Sequence, residues 1–237
     1  MNKTLKGVMY ILVFLGILVN LSTVTDACTL DYTFINDPQA EAVQEEVLEE
    51  ADQHIIFSGY IDPVTAIYAR RIIKSQDIYL LKLFFDDGGM FYICDDNNFR
   101  ILKNDHGMSS YNSVIGWIQY DTRSIYICDD ITNIKETETH ELGHFMAVCV
   151  YEGVDMYTEW KQITCQEYDN SGLPYYYHTN VEYFAESYRS YFYGDMNKSK
   201  TPETYKFIDP LAKSLKGVCL NGRYNRRRIS QTNVYDM

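Results

Sequence analysis

Apolar positions along this chain recur with two periods, and the switches between them sketch an architecture. The stretch "DPQAEAVQEEVLEEADQHI" carries Ala42, Val43, Val47, Leu48 and Ala51 at helical spacing. A second stretch, "DPVTAIYARRII", opens the same way: Asp37-Pro38 and Asp62-Pro63 each offer an aspartate as N-cap and a proline as first helical residue. Shorter runs of β-branched and aromatic residues then predict strands: "IYLLKLFF", "MFYIC" after the Gly88-Gly89 turn, and "FRILK". "SVIGWIQY" and "SIYIC", separated by "DTR", read as a hairpin. Helical spacing returns in "ETETHELGHFMAVCVYE" and, after an irregular segment, in "VEYFAESYRSYFYG". The order predicts an α+β chain with a small mixed sheet, N-terminal helices over about 37–76 and a core over about 77–215.

The first residues follow a different pattern. Lys3 and Lys6 precede an apolar run from Gly7 to Leu21, and "TVTDA" offers small residues at Thr25 and Ala27. This predicts a signal peptide over residues 1–27, hence a secreted, extracellular protein. An uncleaved anchor and a lipoprotein acylated at Cys28 are the competing readings.

With that leader go Lys3, Lys6 and Asp26, which takes the formal net charge from −12 to −13. So acidic a chain argues against nucleic acid and against stable association with anionic membranes. The one basic block, Arg226-Arg227-Arg228, reads as a solvated tail. Six cysteines are present, none in a CxxC spacing, which argues for disulfides over a cysteine zinc cluster. "FYICDDNN" and "IYICDDIT" echo each other, so Cys94 and Cys128 are candidates to sit on neighbouring strands and bridge.

The chemistry concentrates in "THELGHF". His140 and His144 lie four residues apart, on one face of a helix, where both imidazoles reach a single ion. Glu141 is rotated by about 100° from His140 and can hold a water beside that ion. Leu142, Met146 and Cys149 fall on the opposite, apolar side, with Phe145 next to them. With five histidines in this composition, fewer than ~0.01 chance matches to H-E-x-x-H are expected. His54 and His106 read as lone surface histidines.

Catalytic zinc needs a third protein ligand and an open fourth position. The Gly and His that extend the motif in one class of zinc peptidases are replaced here by Ala147 and Val150. The other class takes a glutamate from a later helix, and "NVEYFAESYRSYF" offers Glu182 and Glu186 one turn apart. Phe184, Tyr188 and Tyr191 make the opposite, core-facing stripe, and Asn180 is the candidate cap. With Glu182 as ligand, Glu186 is left to orient a ligating histidine or to pair with Arg189. The competing reading makes these three charges a solvated salt-bridged face.

"HELGH", then "EYFAESYRSYF", then "PETYKFIDPLAK" resemble the catalytic domain of anthrax toxin lethal factor and the secreted Pro-Pro endopeptidases. The resemblance runs from about Ser113 to Leu215, with Pro202, Thr204, Tyr205 and Phe207 matching the last segment. It implies a single gluzincin-type metallopeptidase domain with one zinc ion on His140, His144 and Glu182, and Glu141 as general base. It also implies that Tyr175, seven residues before Glu182, stabilises the oxyanion, with Tyr176, Tyr177 and His178 as neighbours. The resembling edge strand is "SVIGWIQY", so Gly116 and Trp117 are candidate contacts for a peptide bound extended along the sheet. Their competing reading is a tryptophan buried in a hairpin.

The lethal factor's carrier-binding domains have no room in 237 residues, the six cysteines exceed what the bacterial relatives suggest, and "CDDITNIKETET" looks longer than in the Pro-Pro enzymes. Proline preference therefore does not carry over. The expectation is a secreted zinc metalloendopeptidase hydrolysing peptide bonds. A non-catalytic secreted binding or effector protein on the same scaffold and a zinc amidase are the competing readings.

Overall fold

A computed structural model describes residues 38–108 and 114–221. The leader, Asp37, Cys28 and the block at Arg226 lie outside the described residues. The helix α1 spans Pro38–Glu50 and is followed by a 3-10 turn over Ala51–His54. Val43, Val47 and Ala51 are buried, whereas Ala42 and Leu48 of the predicted stripe face outward. Strand β1, Ile55–Ser58, was not expected; it separates α1 from α2, Pro63–Lys74. Asp62 caps α2, accepting from the Thr65 amide at 3.0 Å, with Pro63 in the first turn.

Two predicted strands are helices. "IYLLKLFF" forms α3, Ile78–Asp86, because the Asp77 carboxylate accepts from the Tyr79 and Leu80 amides and nucleates a turn. Seven of its nine residues are buried, and only Lys82 and Asp86, paired one turn apart, mark an outer face, too few polar positions to betray the helical period in the sequence. "FRILK" lies in α4, Asp96–Asp105, capped in the same way by Asp95, which accepts from the Asn98 amide. Strand alternation would bury Ile101 with Phe99; the helix buries Phe99, packs Leu102 beside it and leaves Ile101 exposed.

Strands β2 (Met90–Cys94), β3 (Gly116–Gln119) and β4 (Ser124–Cys128) complete a sheet of order β1-β2-β4-β3. β1, β2 and β4 are parallel, while β3 and β4 form the expected antiparallel hairpin with β3 at the edge. One face carries Phe91, whose ring is 4.9 Å from Phe84 of α3. The other carries an aromatic row, Tyr92, Tyr126 and Trp117, stacked at 4.8 and 4.7 Å and covered by Phe99. Cys94 and Cys128 are register partners across β2 and β4, and both thiols are free. His54 is not a lone surface histidine: its ring stacks on Phe85 at 4.2 Å and its Nδ1 donates to the Gly89 carbonyl.

The motif helix α5, Ile134–Phe145, ends in a π turn over Met146–Val150 and leads to a 3-10 turn over Val154–Met156. The segment expected to be irregular contains α6, Thr158–Ser171, which buries Trp160, Ile163, Thr164, Glu167 and Tyr168. A 3-10 turn over Tyr175–Tyr177 precedes α7, Asn180–Tyr193, and the expected tail is α8, Pro202–Leu220. The Glu167 carboxylate accepts from the Glu203 and Thr204 amides at 2.9 and 2.8 Å, capping α8 from a distance. No helix among the described residues is long and apolar enough to cross a membrane.

Candidate metal centre

The site forms where α5 crosses α7, and the crossing depends on small residues. A Cβ built on Gly143 would lie 2.9 Å from both the Cα and the carbonyl oxygen of Ala185. Only a residue without a side chain lets the two backbones approach this closely. Gly143 was missed in the sequence, although a glycine inside a strongly patterned helix signals such an approach. The start of α7 is set by Thr179 rather than Asn180. The Thr179 hydroxyl accepts from the Glu182 amide at 3.1 Å, which places Glu182 in the first turn, where the helix dipole favours a carboxylate.

The predicted ligand atoms converge. Nε2 of His140 lies 3.1 Å from Glu182 Oε2 and 3.1 Å from Nε2 of His144, which is itself 3.7 Å from Glu182 Oε2. Ligands held about 2.1 Å from a tetrahedral zinc stand about 3.4 Å from one another, so these spacings fit that ion. His140, Glu141 and His144 are all buried. Behind His140, Nδ1 is 3.3 Å from Glu186 Oε2; the other oxygen of Glu186 accepts from Arg189 Nε at 2.8 Å, and Arg189 reaches Asp195 at 3.3 Å. Glu186 therefore makes both contacts that the sequence offered as alternatives, and the three charges do not form a solvated face.

The buried groups are electrostatically coupled. Burial draws the His140 pKa down, but hydrogen bonds to Glu182 and Glu186 outweigh it and lift the value to about 10. Burial pushes Glu182 up, yet the two histidines hold it well below the usual carboxylate range. Glu141 is raised by burial, with the two histidines and the Ile118 amide pulling back. A second group of potential ligands, Asp96, Cys128 and Asp129, is more exposed. The Cys128 thiol there is pushed up to about 12 by burial and by Asp96, to which it donates at 3.1 Å, so it stays protonated.

The remaining candidates divide. Gly116 brings β3 against α5: a Cβ there would meet Thr137 at 2.2 Å and Glu141 Oε1 at 3.6 Å. The Trp117 ring lies on the opposite side of the sheet, 6% exposed and packed on Tyr126 and Phe99, as its competing reading held. Tyr175 is 83% exposed, with its ring 5.5 Å from His178. Tyr177, two residues on, stands nearer the ligands, 5.4 Å from the His140 ring, and burial raises its pKa strongly.

Two buried histidines on one helix and a half-buried glutamate on the helix that crosses it form a group that could hold a metal ion, with a second carboxylate, Glu141, beside it. The family model described as "Anthrax toxin lethal factor, N- and C-terminal domain" matches residues 91–211, and the chain belongs to that family. The structure of the Pro-Pro endopeptidase PPEP-2 from Paenibacillus alvei is similar over 68% of this chain and 98% of that one, with a TM-score of 0.53 and 18% identity. The two chains share a fold. A comparison with curated protein sequences finds no match.

Proposed function

We propose that this protein is a secreted zinc-dependent metalloendopeptidase. The observation that carries the reading is the convergence of His140, His144 and Glu182, whose ligand atoms all lie within 4.8 Å of one another, with Glu141 alongside. When bound, a zinc ion supplies Lewis acidity toward a peptide carbonyl and lowers the pKa of water toward about 7.

Glu141 is the general base. Its burial raises its proton affinity, which suits a carboxylate that takes a proton from the attacking water and passes it to the departing amine. Glu186 holds the His140 proton on Nδ1 and so turns the Nε2 lone pair toward the site, while Arg189 fixes Glu186. Tyr175 is assigned to the oxyanion, its exposed phenol facing the solvent from which substrate arrives.

The peptide lies extended along β3, the strand at one edge of the sheet. Gly116 admits the chain past Glu141; Trp117 contributes main chain only, since its ring is in the core. Localisation outside the cell rests on the N-terminal pattern.

The test is metal content and chelator-sensitive cleavage of a peptide library. Glu141→Gln is expected to keep its zinc and to lose about 10²–10⁴-fold in turnover. Full activity in that variant excludes Glu141 as base, and a library left uncut by zinc-loaded protein leaves only the non-catalytic reading or an amidase.

A further inference from the structure

The two histidines are supported unequally. Nδ1 of His140 has the Glu186 carboxylate at 3.3 Å, whereas Nδ1 of His144 is buried and closes no hydrogen bond among the described residues. A histidine that offers Nε2 to a cation carries its proton on Nδ1, and that N–H needs an acceptor. The complementary deficit lies close by. Asp155 is 1% exposed, and both its carboxylate oxygens close no hydrogen bond among the described residues.

Asp155 sits in the Val154–Met156 turn, which packs on the π turn that continues α5 and on α7. Gly153, with φ of 81°, lets the chain double back there, and its amide donates to the Ala147 carbonyl at 2.9 Å. Burial raises the pKa of Asp155; the nearby His144 is the largest influence pulling it back, ahead of its own amide, the Met156 amide and Lys161. A buried carboxylate with only its own and the Met156 amide nearby is costly, and so is a buried imidazole N–H without an acceptor. A water between them resolves both.

We infer that Asp155 is the positioning residue for His144, accepting its Nδ1 proton through one bridging water, in the role that Glu186 plays directly for His140. This rests on the zinc reading above and deepens it. The two carboxylates would then support the ligand pair from separate elements, Glu186 from α7 and Asp155 from the turn after the π segment. The role is in metal affinity and ligand orientation, since Asp155 touches neither substrate nor reacting atoms.

The test compares wild type, Asp155→Ala and Asp155→Asn by zinc affinity against a chromophoric chelator and by the melting temperature of metal-free protein. Asp155→Ala is expected to weaken zinc binding about 10- to 100-fold. In metal-free protein the alanine variant leaves the His144 Nδ1 proton unpaired and should melt somewhat lower, so its loss of zinc affinity has to exceed what that fall in stability accounts for. Asp155→Asn keeps an acceptor oxygen and should recover part of the affinity. In the zinc-loaded wild type, the His144 Nδ1 proton should be protected in nitrogen-resolved NMR, and exposed to exchange in the alanine variant. Wild-type affinity in both variants overturns the assignment, and so does a loss of affinity that only tracks a fall in metal-free stability. Failure of the wild type itself to bind zinc overturns the metal reading on which the inference stands, and is told apart by that control.

Discussion

The crossing of α5 and α7, which carries the candidate metal ligands, and the side proposed for substrate, β3 with the Tyr175–Tyr177 turn, are built on opposite principles. At the crossing, His140, Glu141, His144 and Glu186 are buried, and backbones meet at Gly143 and Ala185 without room for a methyl group. On the other side, Tyr175 and Tyr176 are 83% and 66% exposed, and β3 is an edge. Geometry that must be right before substrate arrives is held by packing. Groups on the proposed substrate side are left in solvent, where changes cost little stability. The same change of side chain should therefore act on different observables in the two regions.

The largest contrast comes from removing a ligand. Glu182→Ala should weaken zinc by more than the about 10–100-fold seen when outer partners are lost, and should abolish cleavage. Isothermal titration and a peptide assay measure both; near-normal zinc affinity would remove Glu182 from the site. Next, Tyr175→Phe should lower kcat about 10²–10³-fold with zinc affinity unchanged. Tyr177→Phe is the internal comparison. If it carries the larger loss of kcat, the oxyanion role moves to the tyrosine nearer His140.

Smaller effects sharpen the packing half. Gly143→Ala should destabilise the fold by about 1–3 kcal/mol, because the added methyl meets Ala185 backbone and not a flexible side chain. Thermal or denaturant unfolding checks this, and unchanged stability would mean that the helices separate freely. The smallest effect is a pH dependence of the metal-stripped protein. The His140 pKa is raised from 6.5 to about 10, so its contribution to stability is fully present below about 6.5 and is lost as pH rises through about 10. The melting temperature of chelated protein should fall across that window more than that of zinc-loaded protein, whose His140 is already deprotonated. Parallel curves for the two forms would show that His140 is not held charged by Glu182 and Glu186.

The candidate site was legible because its signals are local. H-E-x-x-H puts two imidazoles on one helix face whatever the rest of the chain does, and a second helix with Glu182 and Glu186 one turn apart names its own inward side. The errors fell where local signals conflict. "IYLLKLFF" is apolar but for Lys82, and Asp77 as a cap marks it as the helix α3. "FRILK" tolerates either period until Phe99 and Leu102 find the aromatic row on the sheet. β1, α6 and α8 carry weaker patterns and are recognisable through their partners: Phe91 and Ile93 register with β1, and Glu167 caps α8.

The sequence by itself determined the candidate ligand types, their spacing within each helix and the α+β class, since covalent spacing and helical period are properties of a few neighbouring residues. Only the tertiary structure decided that Glu186 reaches His140 while also holding Arg189, that Thr179 starts α7, and that the Trp117 ring turns away from the site. It also brought Asp155 into electrostatic reach of His144. Those outcomes depend on how two helices cross and on which side of a sheet is covered, and such relations join residues far apart in the chain. The close approach at Gly143 and Ala185 makes the point in one contact: each residue is unremarked alone, and together they set the separation across which a metal would be held.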